Sequence, residues 1–244
     1  MSFQTKPMIQ NSDYQKFENK RWSGQKQQIG FRHKAAAELL KKSKARSYLD
    51  IGCGDGAFEA FFQQYDPEVK ISGIDLSSVA ITNAEANVPN GSFSVVDAIG
   101  DGLIDTDDAY DAVVSLDVLE HTFSPQELVA EMKRVSKRHL IIGVPNFSSL
   151  PARLQMIIGR VPENNRQKKG HVYWFNYSIL TKMLTENGLT ILELRTNCQV
   201  EYVPVIGSVM RTLTHLFPGL FALSFVILAE KNSGHVSQEP SPSA

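Results

Sequence analysis

From residue 47 onward the chain is punctuated by near-continuous apolar runs. Asp111-Ala112-Val113-Val114-Ser115-Leu116 and Leu140-Ile141-Ile142-Gly143-Val144 show almost no polar alternation. Such runs predict strands covered on both faces, as in a parallel sheet. Strands are predicted at Ser47–Ile51, Lys70–Leu76, Ser92–Ala98, Tyr110–Val118 and His139–Val144. Between them, helices are predicted over Ala57–Gln64, Ser78–Ala86 and Pro125–Val135. Ser77 precedes the second as a cap. Ser124 precedes the third, with Pro125 at the first helical position. An earlier helix is predicted over Gln25–Lys42, ending in a Lys41-Lys42 pair that suits a helix C-terminus. This alternation predicts an α/β fold: a doubly wound, Rossmann-like sheet with right-handed crossovers.

The C-terminal third changes rhythm. A short helix at Pro151–Ile158 and a helix at Tyr177–Asn187, closed by Gly188, are followed by strands Thr190–Thr196 and Phe221–Glu230. Residues 147–172 and 201–217 fit no sheet pattern and are expected to form a substrate cap. Residues 203–229 are mostly apolar but are interrupted by Pro204, Gly207, Pro218 and Gly219. A membrane-spanning helix needs about 20 uninterrupted apolar residues, so none is expected. A buried helix followed by a buried strand is the favoured reading. An apolar substrate wall or peripheral membrane contact is the second. Residues 1–12 read as a loose N-terminus, 13–231 as a single domain and 232–244 as a disordered tail.

Composition narrows the function classes. The 244 residues suffice for one large α/β domain. A net charge of −1 offers no basic excess for an extended phosphate backbone, so no nucleic-acid partner is expected. Two cysteines, Cys53 and Cys198, fit a reducing compartment. The polar N-terminus lacks a signal-peptide core, and a cytoplasmic protein is expected. Composition leaves the oligomeric state open.

The candidate chemistry centres on Asp50-Ile51-Gly52-Cys53-Gly54-Asp55-Gly56, an apolar strand feeding a glycine turn and then a helix. Glycines there let backbone N–H groups approach a ligand, at the positive end of the next helix. Strand two ends in Asp75, placed to accept from a ribose diol, and strand three in Asp97, placed to accept from an exocyclic amine. Together these suggest an adenosine-bearing ligand. A nicotinamide dinucleotide calls for G-x-G-x-x-G, and acids beside its pyrophosphate would repel it. Here the spacing is G-x-G-x-G, with Asp50 before the turn and Asp55 inside it. Those charges favour the cationic S-adenosylmethionine (SAM).

Four blocks in register carry a family resemblance. They are Leu49–Gly56, Gly73-Ile74-Asp75-Leu76-Ser77, Val96-Asp97-Ala98, and Tyr110–Leu116 continuing into Asp117-Val118-Leu119-Glu120-His121. The chain resembles the class I SAM-dependent methyltransferases, in particular the methyltransferase type 11 and MetW-like group. Glu131-Met132-Lys133-Arg134-Val135 and Ile142-Gly143-Val144-Pro145-Asn146-Phe147 are similar to the MetW pattern. Asp117–His121 instead resembles ubiquinone-type O-methyltransferases.

The resemblance implies a seven-stranded, mostly parallel sheet with an antiparallel last strand. It implies that Asp50, Gly52, Gly54 and Gly56, with Cys53 among them, line the methionine part of SAM. Asp75 and Leu76 would face the ribose and adenine, Asp97 and Ala98 the adenine, and Leu116 the methyl donor. An Asn/Asp-Pro-Pro-Tyr motif does not follow strand four, which argues against methylation of base or amide nitrogen. His121 is the candidate general base, its ordinary pKa lying near neutrality. Asp117, Glu120 and His121, spaced i, i+3, i+4, would converge on a cation if they formed a helical turn. Ordinary polar loop residues are the simpler reading, and no metal is assigned. His171, Tyr173 and Trp174, after Gln167-Lys168-Lys169-Gly170, are candidates for a substrate lid, and Trp22 and Phe31 for closing over the cofactor. The implied function is methyl transfer to a small-molecule acceptor, at oxygen. The alternative is a SAM-binding, non-catalytic partner or regulatory subunit.

Overall fold

A computed structural model describes residues 11–24, 26–98, 103, 105–166, 170–198, 203 and 205–232. The expected loose segment and tail fall largely on residues 1–10 and 233–244, outside the described residues, as does the Lys168-Lys169 pair.

Seven strands form one sheet in the order β3-β2-β1-β4-β5-β7-β6. They are β1 (Ser47–Ile51), β2 (Lys70–Asp75), β3 (Ser92–Val95), β4 (Tyr110–Leu116), β5 (Ser136–Pro145), β6 (Leu189–Cys198) and β7 (Ala222–Lys231). Strands β1 to β5 pair in parallel, and β7 inserts antiparallel between β5 and β6. The sheet therefore matches the expected mostly parallel, doubly wound architecture. Strand order reverses between β1 and β4, and open α/β sheets bind ligands at such a switch point.

Helices α1 (Asn11–Trp22), α2 (Phe31–Ser43), α3 (Ala57–Phe62), α4 (Ser78–Asn87), α5 (Pro125–Val135), α6 (Leu150–Ile157), α7 (Tyr177–Glu186), α8 (Ile206–Leu216) and the single turn α9 (Pro218–Phe221) flank or extend the sheet. Two apolar layers result. One packs α5 and α7 residues such as Leu128, Met132, Leu180 and Leu184 against Val113, Leu140 and Ile227. The other packs α2 and α3 residues such as Leu39, Leu40, Phe58 and Phe62 against Tyr48, Val114 and Ile141. Strands whose residues alternate between two covered faces read as continuous apolar runs, which is why β4 and β5 were legible.

Several boundaries shift. Helix α2 starts at Phe31, because Gly30 caps it and its N–H donates to His33 Nδ1 at 3.0 Å. Residues 11 and 12, expected to belong to the loose N-terminus, begin helix α1, which runs on to Trp22. Strand β3 stops at Val95, so Asp97 and Ala98 lie just beyond it. The largest departure is α8. It was expected to be buried, yet Ile206 and Val209 are each 54% exposed and Leu216 61%. Only Gly207 and Thr214 of this helix are buried. Among the described residues no helix is long and apolar enough to cross a membrane.

Candidate functional site

The site grows out of the end of β1. The chain turns through Gly52, Gly54 and Gly56, whose φ angles are 80°, 56° and 75°. A Cβ on Gly56 would stand 2.9 Å from Ala84 Cα in α4, so only glycine both adopts this conformation and fits. The Gly52 and Cys53 N–H groups donate to Ile74 O at 2.7 and 3.1 Å. Asp75, at the end of β2, accepts from Gly54 N at Oδ2 (3.0 Å) and from Ser77 N at Oδ1 (2.8 Å). The glycine turn and the end of β2 are thereby one hydrogen-bonded unit. Burial raises the Asp75 carboxyl above its usual range, against the lowering effect of these N–H donors.

Beside the turn lies a pair of buried acids. Asp50 is 3% exposed, and Glu59, in the first turn of α3, is 0% exposed. The two acids lie close enough to shift each other's pKa. Asp50 Oδ1 and both Glu59 oxygens have no hydrogen-bond partner among the described residues. Burial raises both groups, Glu59 to about 7. Asp55 has a different fate. Its Oδ2 accepts from Gln27 N (3.0 Å) and its Oδ1 from Ala57 N (3.3 Å), so it braces the backbone.

Helix α1 closes the front. Gln15 Nε2 donates to Leu76 O at 3.0 Å, and Asn19 Oδ1 accepts from Ser77 Oγ at 2.7 Å. The Trp22 ring lies 2.5 Å from where a Cβ of Gly54 would stand, so the indole covers the turn. Leu76 is half-buried and Leu116, the last residue of β4, is buried. Val96 N donates to Asp75 O at 3.1 Å, keeping half-buried Asp97 and Ala98 beside the end of β2. The ten residues expected to line the cofactor thus all sit at the carboxyl edge of β1, β2, β3 and β4.

The end of β4 supplies a second group. Asp117 takes a positive φ of 61°, and Leu119–His121 forms a short 3-10 turn. Asp117 Oδ2 accepts from Arg32 at 2.6 Å. Glu120 is 1% exposed and its carboxyl is raised well above its usual range by burial and by the neighbouring Asp117 charge. His121 Nδ1 lies 3.1 Å from Gly170 O, and the His121 and His171 ring centroids are 4.7 Å apart. Burial, aided by His171, lowers the His121 pKa to about 4. The expected near-neutral pKa is therefore corrected: this imidazole is uncharged across the neutral range, because its site is desolvated. A cavity of about 600 Å³ opens between the α1–α2 segment and the ends of β4, β6 and β7, lined by Lys26, Phe31, Arg32, Asp117, Asn197 and Ser224.

Residues 14–194 match the family described as "Methyltransferase domain". The chain belongs to this family. A crystal structure of magnesium protoporphyrin IX methyltransferase from Synechocystis PCC 6803 with bound SAH superimposes with a TM-score of 0.62 at 17% identity, covering 91% of this chain and 99% of that one. A putative sarcosine dimethylglycine methyltransferase from Galdieria sulphuraria superimposes equally well, with a TM-score of 0.62 at 15% identity over 92% of this chain and 98% of that one. At these identities the likeness concerns the fold. By sequence, the chain is 26% identical over 142 residues to demethylmenaquinone methyltransferase of Thermotoga maritima, covering 58% of this chain and 56% of that one. It is 30% identical over 67 residues to ribosomal RNA small subunit methyltransferase C of Shewanella pealeana, covering 28% of this chain and 20% of that one. The chain therefore spans about half or less of the length of these curated relatives. The fold is the one these SAM- and SAH-bound methyltransferase structures share.

Two participants escaped the sequence reading and a third was placed without its partner. Glu59 sits at a helical position indistinguishable from a surface one. Arg32 reaches Asp117 across 85 residues of chain. His171 was noted for a lid, but nothing in its spacing tied it to His121, 50 residues earlier. Only the fold brings these together.

Proposed function

We propose that this methyltransferase transfers the methyl group of SAM to a hydroxyl of a small amphiphilic molecule held at the carboxyl edge of the sheet. The observation that carries this reading is the meeting of the glycine turn, Asp75 and the His121–His171 pair at one edge. SAM fits the residues present. The turn offers a glycine-lined cradle, the buried and unpartnered Asp50 Oδ1 suits a cationic ligand, and Asp75 keeps lone pairs beyond the two N–H groups it already holds. Asp50, Gly52, Cys53, Gly54 and Gly56 would hold the methionine part, Asp75 and Leu76 the ribose, Asp97 and Ala98 the adenine, and Leu116 the space beside the methyl group. When bound, SAM supplies an activated methyl group.

The protein's own work is then alignment, exclusion of water and handling of a proton. Trp22 and α1 exclude water from the turn. His121 presents an unprotonated ring throughout the neutral range, and the acceptor oxygen grows acidic as its new bond forms, so even a weak base suffices. Residues 13–231 would act as one domain, with 147–172 and 201–217 capping the acceptor. Exposed apolar side chains on α6 and α8, including Ile157 and Val209, suit an apolar acceptor body or a membrane surface that presents it. A net charge of −1 speaks against a nucleic-acid acceptor.

The test is a screen of S-adenosylhomocysteine release against amphiphilic alcohols and phenols, with anionic sugar derivatives and RNA as comparison pools. His121→Ala is expected to abolish release while SAM binding by calorimetry persists. Turnover restricted to RNA or to an amine acceptor would overturn the reading. SAM binding with no turnover in any pool would favour the non-catalytic partner.

A further inference from the structure

The short turn at the end of β4 is tied to a distant segment with more care than a loop requires. Val172 N and Tyr173 N both donate to Glu120 O, at 2.9 and 3.0 Å. Phe147 N donates to Phe175 O at 2.9 Å, and the Phe147 ring lies edge-on to His171 with centroids 5.2 Å apart. These bonds hold residues 170–175 against the ends of β4 and β5. What they bring together is a carboxylate and two imidazoles. One potential ligand atom from each of Glu120, His121 and His171 lies within 4.8 Å of the others.

Both imidazoles have a fixed tautomer. His121 Nδ1 lies 3.1 Å from Gly170 O, and His171 Nδ1 lies 2.7 Å from Asn164 O. A carbonyl oxygen only accepts, so each Nδ1 carries the proton and each Nε2 carries the lone pair. Ligating histidines are oriented in this way, the second ring nitrogen donating to a carbonyl or carboxylate. Glu120 adds an independent sign. Its side chain is almost wholly enclosed and its Oε2 has no hydrogen-bond partner. A buried carboxyl oxygen left so is costly unless a proton or a cation completes it.

We propose that Glu120, His121 and His171 form a binding site for one divalent first-row transition-metal ion. Two nitrogens and one carboxylate suit zinc, cobalt or iron(II), and they disfavour magnesium and calcium, which prefer all-oxygen sets. Bond lengths of about 2.0–2.2 Å would need ligand atoms roughly 3.3 Å apart, so small side-chain rotations would close the set on loading. Three protein ligands leave coordination positions open. Asp117, whose Oδ2 is paired with Arg32, stands beside Glu120 outside the set.

This inference rests on the methyl-transfer reading and changes what the His121 lone pair holds. The acceptor oxygen would take an open position on the ion, which makes its O–H proton acidic enough to pass to water. The oxygen then forms its bond to the methyl carbon. The carbon–sulfur bond breaks with its electron pair staying on sulfur, and S-adenosylhomocysteine leaves.

The test loads chelator-treated full-length protein with Co²⁺ and reads the visible absorption of a four- or five-coordinate site, with metal content by mass spectrometry. One ion per chain is expected, together with loss of the absorption in His171→Ala and Glu120→Gln while SAM binding by calorimetry persists. Absence of Co²⁺ and Zn²⁺ binding, or equal binding in wild type and His171→Ala, would overturn the site. Full methyl transfer by metal-free protein, abolished by His121→Ala, would also overturn it and leave the function reading standing. One bound ion per chain without transfer to any hydroxyl would support the site and count against the function reading.

Discussion

Glu59 and Gly56 show how single residues set the conditions at the cofactor turn. The Glu59 carboxyl is raised in the folded protein to about 7 from an ordinary 4.5, chiefly by burial. The folded state therefore binds more protons than the unfolded chain between those values. Stability contributed by this group is present at low pH and is lost as pH rises through that window. Urea midpoints measured between pH 5 and 8 should fall with rising pH, and Glu59→Gln should flatten the slope. An unchanged slope would remove Glu59 as its source. Gly56 makes a steric case. Its φ of 75° and the Ala84 backbone 2.9 Å from a would-be Cβ leave no room for a side chain. Gly56→Ala should cost about 1–3 kcal/mol of stability in the same urea assay. A loss under about half a kcal/mol would show that α4 gives way freely.

At the scale of elements, α1 and α8 behave unlike ordinary surface helices. Helix α1 is polar along its length, yet Gln15, Asn19 and Trp22 fasten it to Leu76, Ser77 and Gly54. It covers the cofactor turn by hydrogen bonds and one aromatic ring. Trp22→Ala should weaken SAM binding roughly tenfold, the loss expected when an aromatic contact of about 1–1.5 kcal/mol disappears. Titration calorimetry decides this, and an unchanged dissociation constant would make α1 a bystander. Helix α8 turns its apolar residues outward. The double substitution Val209→Ser, Leu216→Ser should change stability by no more than about 1 kcal/mol, since both side chains are exposed. It should leave SAM affinity intact and lower S-adenosylhomocysteine release with amphiphilic acceptors. A collapse of several kcal/mol would return α8 to the core.

At the scale of the whole molecule, the sheet order explains why the site lies where it does. Strands β1 and β4 are neighbours although β2 and β3 intervene in sequence. Their carboxyl ends therefore face one crevice from which the chain departs to either side. The antiparallel insertion of β7 brings the α8–α9 excursion to that same edge, because β7 begins where β5 ends: Pro145 pairs with Ser224. Asn146 Nδ2 donates to Gly219 O at 3.1 Å and to Ala222 O at 2.8 Å, fixing this corner beside the His171 segment.

The sequence by itself determined the layered sheet, because strands buried on both faces must be apolar throughout. It pointed to a candidate cofactor edge as well, because a G-x-G-x-G turn between acids suits a cationic ligand. These are local patterns, and locality is what a linear reading captures. Tertiary structure decided everything that depends on long-range pairing. Asp50 meets Glu59 only once the turn has folded α3 back along β1. Asp55, legible as a ligand acid, is consumed by the Gln27 and Ala57 backbone. His121 loses its near-neutral pKa to burial, and His171 reaches it only because residues 172 and 173 hydrogen-bond to Glu120. Helix α8, apolar enough to be read as core, lies outside, with only Gly207 and Thr214 of its residues buried.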